Sequence, residues 1–279
     1  IDIENILGSA HGDDLTGDGG ANVLEGAQGD DTLEGGVGAD TLDGGAGTDT
    51  ASYANSSAAV SANLGGGNGF AGDAAGDSFV GIENLLGSGH NDTLTGSTDD
   101  NLLQGGEGDD LLRSASGDDT LEGGIGADIL NGSVGTDTAS YANAAAGVTA
   151  NLGAGTGTGG EANGDTYIDI ENILGSAHGD DLTGDGGANV LEGAQGDDTL
   201  EGGAGADTFV FKDGFGGDVV TDFVDGTDRF DFSEHTVISA FGDLTVTDVG
   251  ADAEISDGLG NTISVTGAAG LIDGFDFDF

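Results

Sequence analysis

A large apolar residue recurs every nine positions along much of this chain, with glycine and acidic residues between. Leu33 and Leu42 occupy this apolar position, and each lies two residues after an aspartate. A period of nine fits neither one helix nor one strand, so each repeat is predicted to be a glycine-rich turn followed by a short strand. Two repeats would complete one coil, and alternate repeats would stack. The pattern predicts an all-β fold, a right-handed parallel β-roll or β-solenoid.

The repeat has the form G-G-x-G-x-D-x-U-x, where U is apolar. Residues 35–43 spell it in full as GGVGADTLD. Glycine permits the tight turn, and the apolar residue faces inward. The eighth positions predict a thin core that cannot hold the coil by itself, formed by Leu15, Leu24, Leu33, Leu42, Leu94, Leu103, Leu112, Leu121, Leu130, Leu182, Leu191 and Leu200.

Three repeat arrays alternate with two inserts. Residues 48–55 recur as 136–143, an offset of 88, and residues 1–36 recur unchanged as 168–203. In each insert we expect strands that continue the solenoid, with one long loop. That loop is predicted to be solvated in preference to an extra ion site at Asp73 and Asp77, or at Glu161 and Asp165. The predicted segments are array 1 (1–52), an insert (53–86), array 2 (87–140), an insert (141–174), array 3 (175–207) and a C-terminal cap (208–279).

The cap differs from the arrays in composition, because ten of the twelve phenylalanines lie at or after Phe209. Alternating runs such as 230–232 and 263–265 predict a C-terminal antiparallel β region there. A solenoid exposes its last coil, so a bulky apolar cap is expected at its end.

The sixth position of the repeat is nearly always aspartate. In a two-repeat coil, aspartates of stacked repeats would lie roughly 4.8 Å apart. Two bare carboxylates about 5 Å apart repel each other by roughly 3 kcal/mol at an effective dielectric of 20. A divalent ion between them makes the total electrostatic interaction attractive. Backbone carbonyls of the turns would complete an oxygen cage, which favours Ca²⁺ over Mg²⁺ or Zn²⁺.

The spacing predicts nine stacked pairs. Three of them contain asparagine, which keeps a side-chain oxygen but lacks the negative charge, so these pairs are expected to bind Ca²⁺ more weakly. Filling nine sites would bring the formal charge from −50 to about −32. The pairs are Asp13–Asp31, Asn22–Asp40, Asp31–Asp49, Asp92–Asp110, Asn101–Asp119, Asp110–Asp128, Asp119–Asp137, Asp180–Asp198 and Asn189–Asp207.

The composition of the chain limits the partners and the chemistry that are possible. With 53 acidic and three basic residues, nucleic acid is excluded as a partner, and an anionic membrane surface would repel the chain. The chain has no cysteine, so disulfides and thiol chemistry are excluded, and no apolar run is long enough to span a membrane. An acidic, halophile-like surface is the alternative explanation of the charge. Ile1, Asp2 and Ile3 do not begin a signal peptide, and the chain is expected to be a fragment or a processed form.

The tandem units resemble the repeats-in-toxin (RTX) family over roughly 8–52, 87–140 and 175–207. Several units depart from its motif: the units at Gly17 and Gly96 are irregular, and His11, His90 and His178 fill the fourth position. Residues 223–232 resemble the C-terminal region of type I secreted RTX proteins, such as serralysin-like proteases and alginate-epimerase repeat modules. The resemblance implies export through type I secretion machinery, folding on extracellular Ca²⁺, and an export signal within 208–279.

No motif in the sequence supports catalysis. Residues 155–160 match G-x-G-x-x-G, a weak signal among 60 glycines without a βαβ context, and His235 stands alone. The sequence therefore predicts a non-enzymatic calcium-binding module of a secreted, extracellular or cell-surface protein. Two alternatives stay open: a calcium-dependent self-assembling surface, filament or adhesin protein, and the non-catalytic part of a secreted enzyme whose catalytic domain precedes Ile1.

Overall fold

A computed structural model describes residues 4–279, which form short β-strands and three 3-10 turns (Gly72–Ala74, Gly160–Ala162 and Phe241–Asp243). The prediction that the chain is a fragment or a processed form concerns Ile1, Asp2 and Ile3. These three residues lie outside the described residues. The strands are β1 (Asn5–Leu7), β2 (Asp14–Thr16), β3 (Val23–Gln28), β4 (Thr32–Glu34), β5 (Thr41–Ala46), β6 (Thr50–Ser52), β7 (Ser61–Asn63), β8 (Asn68–Ala71), β9 (Ser78–Val80), β10 (Asn84–Leu86), β11 (Thr93–Thr95), β12 (Leu102–Glu107), β13 (Leu111–Arg113), β14 (Thr120–Ile125), β15 (Ile129–Asn131), β16 (Thr138–Ser140), β17 (Thr149–Asn151), β18 (Thr156–Gly159), β19 (Thr166–Ile168), β20 (Asn172–Leu174), β21 (Asp181–Thr183), β22 (Val190–Glu192), β23 (Thr199–Glu201), β24 (Thr208–Val210), β25 (Gly217–Val220), β26 (Arg229–Asp231), β27 (Thr245–Val249), β28 (Asp252–Ser256), β29 (Thr262–Val265) and β30 (Phe277–Asp278).

Strands in the arrays pair in parallel with the strand 18 residues away, so two repeats form one coil as predicted. Leu15 lies beside Leu33, and Leu24 beside Leu42. Each coil therefore adds one leucine to each of two stacked rows. These leucines are buried, because the two faces of the roll close on each other and exclude water. The fold is an all-β parallel β-roll.

The first compact unit runs to Thr138 and includes Asp165–Ile170. One of its sheets has the strand order β1-β3-β5-β9-β8-β7-β11-β13-β15-β19, and the other has the order β2-β4-β6-β10-β12-β14. Within this unit only β8 runs antiparallel to its neighbours among the pairings that the described residues form.

The second compact unit comprises Ala139–Gly164 and Glu171–Phe279. Its sheets have the orders β18-β17-β21-β23-β25-β29-β28-β27 and β20-β22-β24-β26-β30. Strand β16 spans the boundary between the units at Thr138. Across residues 4–279, no helix has the length and apolar character needed to cross a lipid bilayer.

The inserts contribute strands to the roll, as expected. In the first insert β7 pairs in parallel with β11, and β9 pairs in parallel with β5. The segment expected to be one long loop instead forms β8, antiparallel to both β7 and β9, and the 3-10 turn Gly72–Ala74. This segment forms a strand because, between β7 and β9, it can pair backbone groups that a loop would leave without partners in the protein.

The roll continues past the last array, which corrects the predicted extent of the antiparallel cap. Phe209, Phe230 and Phe277 lie side by side in the parallel strands β24, β26 and β30. Antiparallel pairing in this region is confined to β27, β28 and β29. The phenylalanines occupy the inward position that leucine holds in the arrays, since Leu191 is the next neighbour of Phe209 in the same row.

Candidate metal sites

The strands of the repeats are preceded by the sixth-position residue, aspartate or asparagine, which links one coil to the next. The Asp92 amide donates to Asp110 Oδ1 at 2.7 Å, and the Asp110 amide donates to Asp128 Oδ1 at 2.8 Å. The same bond joins all nine pairs predicted from the spacing. The link therefore differs in detail from two carboxylates facing across a gap, because one partner contributes its backbone amide.

The second oxygen of many of these aspartates is buried without a hydrogen-bond partner. Buried polar atoms are almost always paired, and an unpaired charged oxygen is costly. In the part of the chain that the structure describes, this oxygen is Oδ2 of Asp31, Asp40, Asp49, Asp110, Asp119, Asp128 and Asp198.

Glycine backbone forms a cradle around all of these oxygens except that of Asp119, where Ser114 takes the glycine position. A Cβ placed on Gly105 would lie 2.2 Å from Asp110 Oδ2 and 2.5 Å from the carbonyl oxygen of Gly123 on the next coil. Around Gly26, the same construction meets Asp31 Oδ2 at 2.2 Å and the Gly44 carbonyl oxygen at 2.6 Å. A carboxylate oxygen and a main-chain carbonyl thus converge on a space that only glycine leaves open.

This donor set fits Ca²⁺, which takes six to eight oxygen ligands, including backbone carbonyls. Among residues 4–279, no group of three or more His, Cys, Asp or Glu side chains has the arrangement of a metal site. The carbonyl oxygens of Gly44 and Gly123 lie beside the carboxylates, as the oxygen cage predicted from the sequence requires. Zinc prefers imidazole or thiolate ligands, whereas the donors beside these oxygens are carboxylates and main-chain carbonyls.

Burial makes the charged form of the aspartates unfavourable without a cation. Burial raises the pKa of Asp110, Asp128 and Asp198 to about 7. The amide bond from the preceding coil lowers the pKa of each group, and neighbouring carboxylates raise it further. The same main cause raises the pKa of further ladder carboxylates, namely Asp40, Asp49, Asp119, Asp180 and Asp207. A divalent ion beside these groups would remove this penalty.

The first aspartate of each array is arranged differently. Oδ2 of Asp13 accepts the Ser9 amide at 2.6 Å, and Oδ2 of Asp180 accepts the Ser176 amide at 2.6 Å. Asp92 makes the same bond with the amide of a serine four residues earlier. The oxygen that faces the cradle elsewhere is therefore already engaged at the start of each array.

The three asparagines also have their side-chain groups engaged by protein. Asn101 Oδ1 accepts the Ser97 amide at 2.6 Å, while its Nδ2 donates to the Glu83 carbonyl at 2.7 Å. Asn189 makes the equivalent bonds with the Asp185 amide and the Glu171 carbonyl, and Asn22 Oδ1 accepts the Asp18 amide. The asparagine thus joins two coils by hydrogen bonds at these positions, and the weaker binding expected there stays a prediction.

Four aspartates outside the predicted set continue the same ladders. Asp77 Oδ1 accepts the Asp40 amide at 2.8 Å, so Asp77 is a buried ladder residue and the solvated loop expected there is wrong. Its Oδ2 accepts the Tyr53 hydroxyl at 2.9 Å, and burial raises its pKa to about 6. Equivalent amide bonds reach Asp165, Asp218 and Asp228.

The sequence contains a weak signal for three of these residues. Asp77, Asp165 and Asp228 each lie two residues before an aromatic side chain that takes the inward position of the repeat leucine. Only one glycine of the repeat is in place before each of them (Gly72, Gly160 and Gly226), so a search for the complete motif passes over them. A search for aspartate two residues before any large apolar residue would have found all three.

The comparison with protein families bears on the repeats of this chain. A family model described as RTX calcium-binding nonapeptide repeat (4 copies) matches residues 16–51, 86–121, 112–139 and 174–209. No curated protein matches the chain. Among the solved structures that match is extracellular lipase LipA from Serratia marcescens, at 21% identity over 70% of this chain and 39% of that chain, with a TM-score of 0.29. The chain thus spans about two fifths of that lipase, and so low a TM-score carries no argument. The arrays of this chain are therefore RTX calcium-binding nonapeptide repeats.

Proposed function

We propose that this chain is a non-catalytic calcium-binding module of a secreted protein, and that it folds on extracellular Ca²⁺ after type I export. The observation that supports it best is the set of seven buried carboxylate oxygens without a hydrogen-bond partner, six of which lie against a repeat glycine that leaves room for a small cation. The proposal extends the calcium binding of RTX repeats to a role in folding and location.

The charge balance couples folding to the metal. At a formal charge of −50, self-repulsion opposes any compact state, and stacking the coils brings aspartates together. Because the carbonyl and carboxylate ligands converge only in the stacked coil, the binding free energy of each ion contributes directly to folding. The leucine rows are too thin to replace that contribution.

Export in an unfolded state follows from the same argument. Extracellular calcium modules bind with dissociation constants of about 10⁻⁴–10⁻³ M, which leaves them unoccupied in a calcium-poor cytosol. The resemblance of residues 223–232 to the C-terminal region of type I secreted proteins supports export by that route. Secretion machinery would then be a partner of the unfolded chain, and Ca²⁺ the partner of the folded one.

A calcium titration of the metal-stripped chain tests the proposal. Far-UV circular dichroism should show a cooperative change from coil to β structure with Ca²⁺, and the same concentrations of Mg²⁺ should not produce it. Mg²⁺ demands a smaller, near-octahedral site and releases its waters reluctantly. A chain that is already rich in β structure in excess chelator would overturn the folding role and leave the aspartates as a means of solubility.

Calcium-dependent self-assembly is a second candidate function. It is supported by the identical segments 1–36 and 168–203, whose strands have different neighbours. Leu182 is fully buried where β17 and β23 flank its strand, whereas Leu15, in an identical segment, keeps 9% of its surface exposed. Within the described residues β2 pairs only with β4. Among residues 4–279, no strand covers the edge at β2, whereas β17 covers the same surface in the second copy.

Light scattering recorded during the same titration distinguishes the two candidates. Growth of scattering in step with the circular dichroism would indicate that folded rolls associate, since an open strand edge can pair with another chain. A calcium-loaded chain that stays monomeric over a wide range of protein concentration would exclude assembly while leaving the calcium-binding module intact.

A further inference from the structure

We propose that Gly81 and Glu83, which lie outside the matched repeats, complete an additional Ca²⁺ site with Asp49 where array 1 meets the first insert. The inference rests on the calcium binding proposed above and adds a site that the nonapeptide spacing does not contain. Its ligands would come from one repeat and from an insert that has no repeat motif.

Glu83 holds the position that the next aspartate holds elsewhere in the ladder. The Asp31 amide donates to Asp49 Oδ1 at 2.8 Å, and the Asp49 amide donates in turn to Glu83 Oε2 at 2.9 Å. The amides of Glu83 and Asn84 donate back to the Asp49 carbonyl at 3.1 and 2.9 Å. Strand β10 is thereby stacked on β6, with Asn84 beside Thr50.

An unpaired oxygen independently marks the space as a ligand site. Asp49 is 0% exposed, and its Oδ2 has no hydrogen-bond partner. A Cβ placed on Gly44 would lie 2.5 Å from that oxygen and 2.2 Å from the Gly81 carbonyl oxygen. The arrangement reproduces the one around Gly26, with the Gly81 carbonyl in place of a repeat glycine.

The longer side chain of Glu83 accounts for the change of residue type. Five positions separate Gly44 from Asp49, but only two separate Gly81 from Glu83, so the turn before β10 is shorter. Gly81 adopts a φ of +54°, which lets its carbonyl face the cradle. With two carboxylates and at least one carbonyl, the site suits a hard divalent cation and would tie the end of the insert to the array.

The substitution Glu83→Gln tests this site while conserving the hydrogen bond. Glutamine keeps a carbonyl oxygen that can accept the Asp49 amide, but it removes the charge that a cation requires. We expect isothermal titration calorimetry to show one fewer bound Ca²⁺ per chain, or one site weakened by about tenfold, which corresponds to about 1.4 kcal/mol. Hydrogen exchange of residues 78–86 should then need more Ca²⁺ to reach full protection.

Glu25→Gln is the matched control, because Glu25 is exposed on β3 outside the ladder and the change in net charge is the same. A Glu83→Gln chain whose stoichiometry, affinities and exchange match those of the control would overturn the inference. If the parent chain itself binds no Ca²⁺, the proposed function fails instead, so the two failures are distinguishable.

Glu83→Asp covers the case in which Glu83→Gln does not fold at saturating Ca²⁺, as judged by circular dichroism. Aspartate keeps the charge but is one methylene shorter, so it should not reach the cradle across the short turn. Loss of one site in Glu83→Asp would support the inference. Unchanged binding in Glu83→Asp would contradict it, because the geometry assigns the length of the side chain a direct role.

Discussion

At the scale of the residue, the two oxygens of a ladder aspartate have different roles. Asp110 Oδ1 accepts the amide of Asp92 and joins two coils, while Oδ2 faces a glycine cradle without a partner. The first role needs only an acceptor, which the side-chain carbonyl of asparagine also provides. The second role needs a charge when a cation is bound. Substitutions that separate these roles give the sharpest tests.

Asp110→Asn should have opposite effects with and without calcium. In Ca²⁺ the loss of a charged ligand should shift the folding midpoint to higher calcium, with the affinity of that site weakened by roughly tenfold, about 1.4 kcal/mol. In chelator the variant should be more compact than the parent, because burial disfavours the charged form of Asp110 and raises its pKa to about 7. Circular dichroism in both conditions measures the two effects.

The control is Asp99→Asn, which removes the same charge from an exposed turn residue. Equal shifts in the two variants would mean that net charge alone, and not the cradle, governs the calcium response.

Gly105→Ala should damage one site by filling it. The added methyl group would lie 2.2 Å from Asp110 Oδ2 and 2.5 Å from the Gly123 carbonyl oxygen, so the coil must shift. Overpacking of this kind costs about 1–3 kcal/mol, and one bound Ca²⁺ should be lost. Calorimetric stoichiometry and thermal unfolding in Ca²⁺ measure the two losses.

Gly89→Ala provides the comparison, since a Cβ on Gly89 meets nothing within 4 Å. If Gly105→Ala were no more damaging than Gly89→Ala, the space around Asp110 would not be the ion site.

At the scale of the element, three-residue strands depend on their neighbours in the stack. A single strand of this length is not stable in water, so each one depends on pairing with neighbouring strands, on both sides except at a sheet edge, and on one inward side chain. In the arrays that side chain is leucine. In β24, β26 and β30 it is phenylalanine, and the Phe223 ring stacks on Phe230 with centroids 4.4 Å apart. The bulkier rings fill the core where the glycine-rich repeat has ended.

Phe230→Ala should therefore destabilise the calcium-loaded chain by about 3–5 kcal/mol, the usual cost of emptying a buried aromatic position. Phe230 is fully buried and contacts Phe209, Phe223 and Phe277. Thermal unfolding in saturating Ca²⁺ measures the loss. Phe275→Ala, at a side chain that is 85% exposed, should change the free energy of unfolding little. Similar losses in both variants would contradict the assigned role of the aromatic row.

At the scale of the whole molecule, negative charge and metal together decide whether the chain is folded. Three basic residues cannot offset 53 acidic ones: Lys212 bridges Glu192 and Glu234, and Arg229 pairs with Asp278. Protons can replace Ca²⁺ to a degree, because they also neutralise the buried carboxylates.

Acidification should consequently promote folding of the metal-stripped chain. Burial raises the pKa of Asp110, Asp128 and Asp198 to about 7 and that of Asp218 to about 8, from an ordinary value of 3.8. Raised pKa values mean that the folded state binds protons more tightly than the unfolded state. Their contribution to stability is complete below about pH 3.8 and is lost as the pH rises through about 7 to 8.

Far-UV circular dichroism in metal-free buffer should therefore show β structure increasing as the pH falls from about 8 to about 4. In Ca²⁺ the trend should reverse, because protons compete with the metal for the same carboxylates. A metal-free chain whose β content is independent of pH would show that burial of these aspartates does not oppose folding.

The sequence by itself determined the period of nine, the inward leucines and the nine pairs of sixth-position residues. It could do so because repeats of equal length leave one stacking register, so partners 18 residues apart must meet. Only the tertiary structure decided which carboxylate oxygens lack a partner and how far the ladders extend. Asp40 reaches Asp77 across 37 residues and Asp49 reaches Glu83 across 34, because the inserts have their own lengths and stacking joins residues that no fixed spacing connects. Identical copies such as Ser9 and Ser176 also differ, one exposed and one buried, because burial depends on the neighbouring strand and not on the residue itself.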